Sequence, residues 1–306
     1  MLTRRTFLEA SIATWLTASG WSADEAPAKL AFGFSLYGMK SIPVLDAIDL
    51  CGTIGYDAIE IAALPDWPTF AARLSAKARR EIAQRLVDRR ISLAAVMENL
   101  PVPADDAAQR GLIDRLKQAC QLGADLGDEK RPVIETILGG KPGSWDEVKR
   151  QFVDRTGQWA KIAAEAGMIL AVKPHRLHAM NRPEQALWLL DQVQSSSLKL
   201  VYDFSHFQHR ELTIRETLAQ LLPHTAFVHI KDTVVENGKE RFVLPGDGGV
   251  DYRELFEGLI RAKWSDCVCV EVSGMVSSKA DYDPQAAARR SYENLLPALR
   301  NGKLRD

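Results

Sequence analysis

Eight short β-rich runs, separated by longer helical patterns, constrain this chain more than any other feature. They read KLAFGFSLY (29–37), DAIEIAA (57–63), ISLAAVME (91–98), PVIETIL (132–138), MILAVKPH (168–175), LKLVYDF (198–204), TAFVHIK (225–231) and CVCVEVS (267–273). Between and after them, apolar residues recur at helical spacing near 42–55, 76–90, 105–127, 144–167, 183–194, 212–222, 251–262 and 284–299. Eight strand–helix units over roughly 250 residues match a closed (β/α)8 barrel, whereas an open doubly wound sheet normally stops at about five to seven strands. The expected fold is therefore α/β: one (β/α)8 TIM barrel domain over 29–302, with 101–106 and 236–252 as extended loops.

Residues 1–26 are set apart from that pattern. Paired Arg4 and Arg5 precede a mostly apolar stretch from Ile12 to Trp21 and then small residues, the order of a twin-arginine-type export signal. The expectation is a signal peptide over 1–26 and a periplasmic mature protein. No other apolar run approaches the ~20 residues that span a bilayer, so no membrane partner is expected after signal removal.

With 39 Lys and Arg against 40 Asp and Glu, the net charge is -1, and no basic stripe argues for nucleic acid. The pairs Arg79-Arg80, Arg89-Arg90 and Arg289-Arg290 fall in helical patterns as solvated charge. A small molecule is the expected partner, and a homodimer is left open. Cys51, Cys120, Cys267 and Cys269 form no C-x-x-C pair; the last two alternate with Val268 and Val270 as small buried fillers.

In such a barrel the chemistry sits at the C-terminal ends of the strands. The polar residues there are Glu60, Glu135, Lys173, His175, Asp203, His206, His229, Lys231 and Glu271. A lysine ending an apolar strand is costly to bury and needs a partner or a task. Strand alternation puts Asp203 on the face of Val201, His229 on that of Phe227, and Glu271 on that of Cys267 and Cys269. Three successive strands thereby aim an Asp, a His and a Glu at one point, a donor set that suits Mn²⁺, Zn²⁺, Co²⁺ or Mg²⁺.

The order YDFSHF (202–207), VHIKD (228–232), LPGDGGVDY (244–252) and VEVSG (270–274) resembles the xylose-isomerase-like barrels grouped as sugar phosphate isomerases/epimerases, related in fold to endonuclease IV. The resemblance covers essentially the whole chain after the signal. It implies metal ligands at Asp203, His229 and Glu271, with His206 on the substrate or metal side. The family's strand-five glutamate ligand is replaced by Lys173.

That replacement leaves two outcomes open. A metal is still held, His175 or Glu135 supplying a fourth ligand, with Lys173 beside it as base or substrate clamp; or the Lys173 ammonium stands in for the metal, polarising a substrate oxygen between Asp203 and Glu271. The resemblance implies an isomerase or epimerase acting by proton abstraction next to a carbonyl on an unphosphorylated sugar or sugar derivative. Glu271 would be one acid/base and Lys173 or Glu135 the other, with His175, His206, Lys231 and Glu60 toward substrate. The alternatives are a lyase cleaving 3-keto-glycosides by β-elimination and a non-catalytic periplasmic sugar-binding barrel.

Overall fold

The computed structural model describes residues 30–102, 105–128 and 130–302. Its strands are β1 (Phe32–Ser35), β2 (Ala58–Ala62), β3 (Ser92–Met97), β4 (Val133–Thr136), β5 (Leu170–Val172), β6 (Leu198–Tyr202), β7 (Thr225–Ile230), β8 (Asp232–Glu236), β9 (Lys239–Val243) and β10 (Val268–Val270). Strands β1 to β7 and β10 form a closed parallel barrel; β10 pairs with β1 on one side and β7 on the other, so no edge is left unpaired. Each barrel strand falls inside one of the eight predicted runs but is shorter than it. Consequently Lys173, Asp203, Lys231 and Glu271 each stand one residue past their strand's end, on backbone still directed by the barrel.

The barrel is wrapped by α1 (Val44–Ile54), α2 (Ala76–Arg89), α3 (Asp106–Leu126), α4 (Trp145–Glu165), α5 (Pro183–Val193), α6 (Ile214–Leu221), α7 (Tyr252–Arg261), the single turn α8 (Gly274–Ser277) and α9 (Pro284–Asn301). Side-chain oxygens start several of them. Ser75 accepts from Ala78 N, Asp105 from Ala108 N, and Thr213 and Glu216 form a reciprocal capping box. Gly55, at φ 111°, ends α1 in the left-handed region. The Arg79, Arg89 and Arg290 side chains pair with Asp125, Asp49 and Asp247 at 2.6, 2.7 and 2.8 Å, as expected of charge at helix surfaces.

Two apolar layers follow from strand alternation. Val268, Val270 and Val272 join Phe32, Phe34 and Ile59 in the large cluster between barrel and helices. The opposite faces supply Ala58, Ala95, Ala171, Val201, Phe227, Cys267 and Cys269, which fill the barrel interior. All four cysteines are free and buried. Gly33 is required in this layer, because a Cβ there would lie 2.8 Å from the Cys267 sulfur. The interior is thus packed with small side chains below and left to polar ones above.

The segment expected as one long loop, 236–252, contains structure: β8 and β9 pair antiparallel as a hairpin. Its turn is Asn237-Gly238, both at positive φ (52° and 70°), the conformation an Asn-Gly turn favours because it matches strand twist. Residues 1–26, read as an export signal, lie outside the described residues. Among the described residues no helix is long and apolar enough to cross a membrane.

Candidate active site

Lys173 is buried at the end of β5, followed by Pro174, and its backbone N–H bonds Thr136 O at 2.9 Å. Its ammonium lies 2.8 Å from Glu135 Oε1, 2.7 Å from Glu271 Oε2 and 3.0 Å from His229 Nδ1. The second ammonium, Lys231, lies 2.9 Å from the same Glu271 oxygen and 3.1 Å from Asp203 Oδ2. His229 stands between carboxylates, with Nδ1 2.9 Å from Glu271 Oε2 and Nε2 3.1 Å from Glu60 Oε2. The Ser35 hydroxyl donates to that Glu60 oxygen, and the Ser205 hydroxyl donates to Asp203 Oδ1 at 2.6 Å.

Seven predicted residues therefore form one network: Glu60, Glu135, Lys173, Asp203, His229, Lys231 and Glu271. His206 joins it through Asp203, Nε2 to Oδ2 at 3.4 Å. His175 does not reach it; its ring stacks 4.1 Å from His206 and 4.3 Å from His178, at the rim. His178 is half-buried, its ring stacked on His175, because Arg176 and Leu177 turn the chain so that His178 N bonds His175 O at 2.8 Å.

Burial disfavours charge on every group here, and the network decides which ones keep it. Burial alone would lower the Lys173 pKa, but Glu135 and Glu271 outweigh it and hold the ammonium well above its ordinary range. Burial would raise Glu271, yet Lys173, Lys231 and His229 hold it well below the usual carboxylate range. For His229 burial is overcome by Glu60 and Glu271, which push it up to about 9. Glu135 is raised, burial and the charges of Glu60 and Glu271 outweighing Lys173 and His229. The other histidines go the opposite way: burial, then His175 and the ammoniums of Lys231 and Lys173, hold His206 well below its normal value, and burial, then Lys231, take His175 to about 2. Lys173 between two carboxylates is therefore held as an ammonium.

Asp203, His229 and Glu271 place one ligand atom each within 4.8 Å of one another, a set that could hold a metal ion. Asp203 Oδ2 and His206 Nε2 are buried, and apart from their ion pairs with Lys231 and with each other they make no hydrogen bond, so the oxygen and nitrogen donors present fit a divalent cation. His175 lies outside this group of three, and Glu135 is engaged by Lys173. Each of the three ligand atoms also contacts an ammonium, so a metal would have to share or displace Lys173 and Lys231.

Sequence reading missed the groups that cover and brace this network. Phe242 of the hairpin packs 5.8 Å from the His206 ring, with Lys231 Nζ 5.2 Å over its own ring. Arg176 pairs with Glu240 of the hairpin and donates to Gln208 O at 3.1 Å. Asp232 accepts the N–H groups of Thr233, Gly246, Gly248 and Val250 at 2.9 to 3.2 Å, which folds the Gly-Asp-Gly-Gly loop against the hairpin. The available signal was the Asn-Gly dipeptide between DTVVE and KERFV.

Fold and site together define a (β/α)8 barrel with a buried acid/base cluster at the C-terminal mouth. The model of the family described as "Xylose isomerase-like TIM barrel" matches residues 48–297, and the chain belongs to that family. Inosose dehydratase of Erwinia tasmaniensis (strain DSM 17950) is 28% identical over 184 residues, 54% of this chain and 58% of that protein. Hydroxypyruvate isomerase of Escherichia coli (strain K12) is 23% identical over 207 residues, 61% and 76% of the two chains. A solved structure described as the IolI protein with a bound zinc atom superposes with a TM-score of 0.74 at 21% identity, covering 89% of this chain and 99% of its own. The chain thus spans under two thirds of the length of the dehydratase it matches.

Proposed function

We propose that the chain is a carbohydrate isomerase or epimerase that removes a proton from the carbon beside a carbonyl of an unphosphorylated sugar or sugar derivative. The observation that carries this reading is the convergence of Lys173, Lys231 and His229 on one oxygen of Glu271. Among the described residues no hydrogen bond or ion pair reaches the other oxygen, Oε1, and Glu271 is the most exposed member of the network at 7%.

That arrangement links binding to chemistry. A substrate carbonyl oxygen accepting from Lys173 or Lys231 draws an ammonium away from Glu271, so the carboxylate becomes a better base as the α-proton becomes more acidic. Oε1 takes the proton from carbon, and the two ammoniums stabilise the enolate oxygen. Returning the proton to the neighbouring carbon, as the proton of the α-hydroxyl passes to the enolate oxygen, isomerises the sugar; a proton delivered to the opposite face by the Lys173 ammonium epimerises it. Glu135, behind Lys173, holds that ammonium in place, and His206 and His175 bound the sugar at the rim. Asp203, His229 and Glu271 would hold a divalent metal, Mn, Zn, Co or Mg, which when bound supplies a Lewis acid for the same oxygen.

A second reading is a lyase acting on 3-keto-glycosides, in which the same α-proton abstraction expels an oxygen by β-elimination. It is supported by the similarity to proteins named as dehydratases. Export through residues 1–26 to the periplasm motivates an unphosphorylated substrate, and a tagged full-length chain recovered from the periplasmic fraction without that segment tests it. The chemistry is tested by product analysis on an epimerisable ketose and on a 3-keto-glucoside, with Glu271→Gln beside the native protein. Interconverted ketoses support the isomerase, a released second ring supports the lyase, and ligand affinity with no turnover in either case contradicts both in favour of a binding module.

A further inference from the structure

A cavity of about 510 Å³ opens on the same barrel face, within the size range of small-molecule sites. Its walls come from three loops, those after β1, β2 and β10, and include Tyr37, Lys40, Trp67, Ser277 and Tyr282. The Tyr37 and Trp67 rings stack 5.0 Å apart at 13°. Trp67 Nε1 donates to Tyr37 O at 3.2 Å, and Tyr282 OH donates to Gly38 O at 2.8 Å. The aromatic wall is therefore braced before any ligand arrives.

Tyr37 is also the boundary with the acid/base cluster. It follows Ser35, whose hydroxyl bonds Glu60, and Gly274 leaves so little space beside it that a Cβ there would lie 3.0 Å from the Tyr37 hydroxyl. Burial and then the charge of Glu271 act on that hydroxyl and raise its pKa. The Tyr37 N–H donates to Ser35 Oγ at 3.3 Å, so Tyr37 adjoins the Ser35–Glu60 edge of the cluster and also lines a second compartment. The Lys40 ammonium sits 4.4 Å over the Trp67 ring, and among the described residues it has no carboxylate partner.

No member of the acid/base cluster lines this compartment, whose Gly274 stands three residues after Glu271. Its aromatic wall offers the apolar face, and Ser41, Ser277 and Ser278 the polar edge, that a second ring presents in reverse. We infer that the Tyr37–Trp67 compartment is a subsite for the second half of a two-part substrate, a sugar or aryl ring joined through a glycosidic oxygen to the sugar held at Glu271. The inference rests on the proposed carbohydrate function and narrows its substrate class to glycosides that carry a carbonyl on the ring held at Glu271.

Calorimetric affinities for methyl β-D-glucoside and phenyl β-D-glucoside test it on the full chain. The phenyl compound should bind about tenfold more tightly, and Trp67→Ala should reduce that preference to below about twofold while the methyl compound is unaffected. Ser277→Trp, which plugs the compartment without removing its wall, should abolish the preference in the same way. Equal affinities in the native chain, no binding of either glucoside, or a preference that survives both substitutions would overturn the subsite. A preference with no turnover of any keto sugar would count against the proposed chemistry alone, and turnover without a preference against the subsite alone.

Discussion

Lys173 Nζ lies 2.7 Å from Glu271 Oε2 and 2.8 Å from Glu135 Oε1, so the lysine that ends β5 is clamped between carboxylates from β4 and the end of β10. Removing one partner of such a buried pair strands the others. Lys173→Met should cost about 3–5 kcal/mol in urea denaturation. The double variant Lys173→Met/Glu135→Gln should recover part of that loss, because one of the stranded charges goes with it. Strictly additive single changes would show that Lys173 and Glu135 do not interact.

Glu98 gives a pH signature outside the site. Burial pushes its carboxyl up to about 7, against the opposing charge of Arg115. Between the ordinary carboxyl value and that pKa, the folded chain keeps a proton that the unfolded chain has lost. Stability should therefore fall as pH rises from about 4.5 to 7, by on the order of 3 kcal/mol, and level off above. Glu98→Gln should lack this component in denaturation profiles at pH 5 and 7.5. A slope unchanged by the substitution would contradict it.

Gly248 is fixed by close approach. A Cβ there would lie 2.2 Å from Asp232 Oδ1 and 2.6 Å from Thr233 O. Gly248→Ala must open the loop that Asp232 gathers, at a cost of about 1–3 kcal/mol, and should loosen the hairpin that carries Phe242. Hydrogen exchange of the Gly246, Gly248 and Val250 amides, which bond Asp232, checks it directly. Unchanged protection would show that the loop is held by other contacts.

Metal binding has its own proton count. His229 is pushed up to about 9 by Glu60 and Glu271, in spite of burial, so near pH 7.5 it carries both ring protons. Ligation through Nδ1 requires one of them to leave. Zn²⁺ titrated into chelator-treated protein, by calorimetry in two buffers of different ionisation enthalpy, should release about one proton per metal. Binding without proton release would exclude His229 as a ligand. No binding would leave the two ammoniums as the cations of the site.

Much of this was legible in the residues because a parallel barrel obeys simple rules. The eight runs, their order and their inward faces follow from alternation, and the small residues Ala58, Ala171 and Cys269 under the polar ones marked the interior. Which charges contact one another was not legible. Lys231 meets Glu271 and Asp203 from the two neighbouring strands at distances no pattern gives, and Glu60 of β2 meets His229 of β7 only because the barrel closes. The hairpin was missed because the glycines of the following loop outweighed the one dipeptide that marked its turn.

The most direct measurement of the central claim is solvent-deuterium incorporation at the carbon beside the carbonyl, followed by NMR on ketose and 3-keto-glucoside substrates in heavy water. The native chain should exchange that proton, and Glu271→Gln should slow exchange by at least about 10²-fold while still binding the sugar. Exchange at the native rate in Glu271→Gln, or turnover without any deuterium entering the product, would contradict proton abstraction by Glu271.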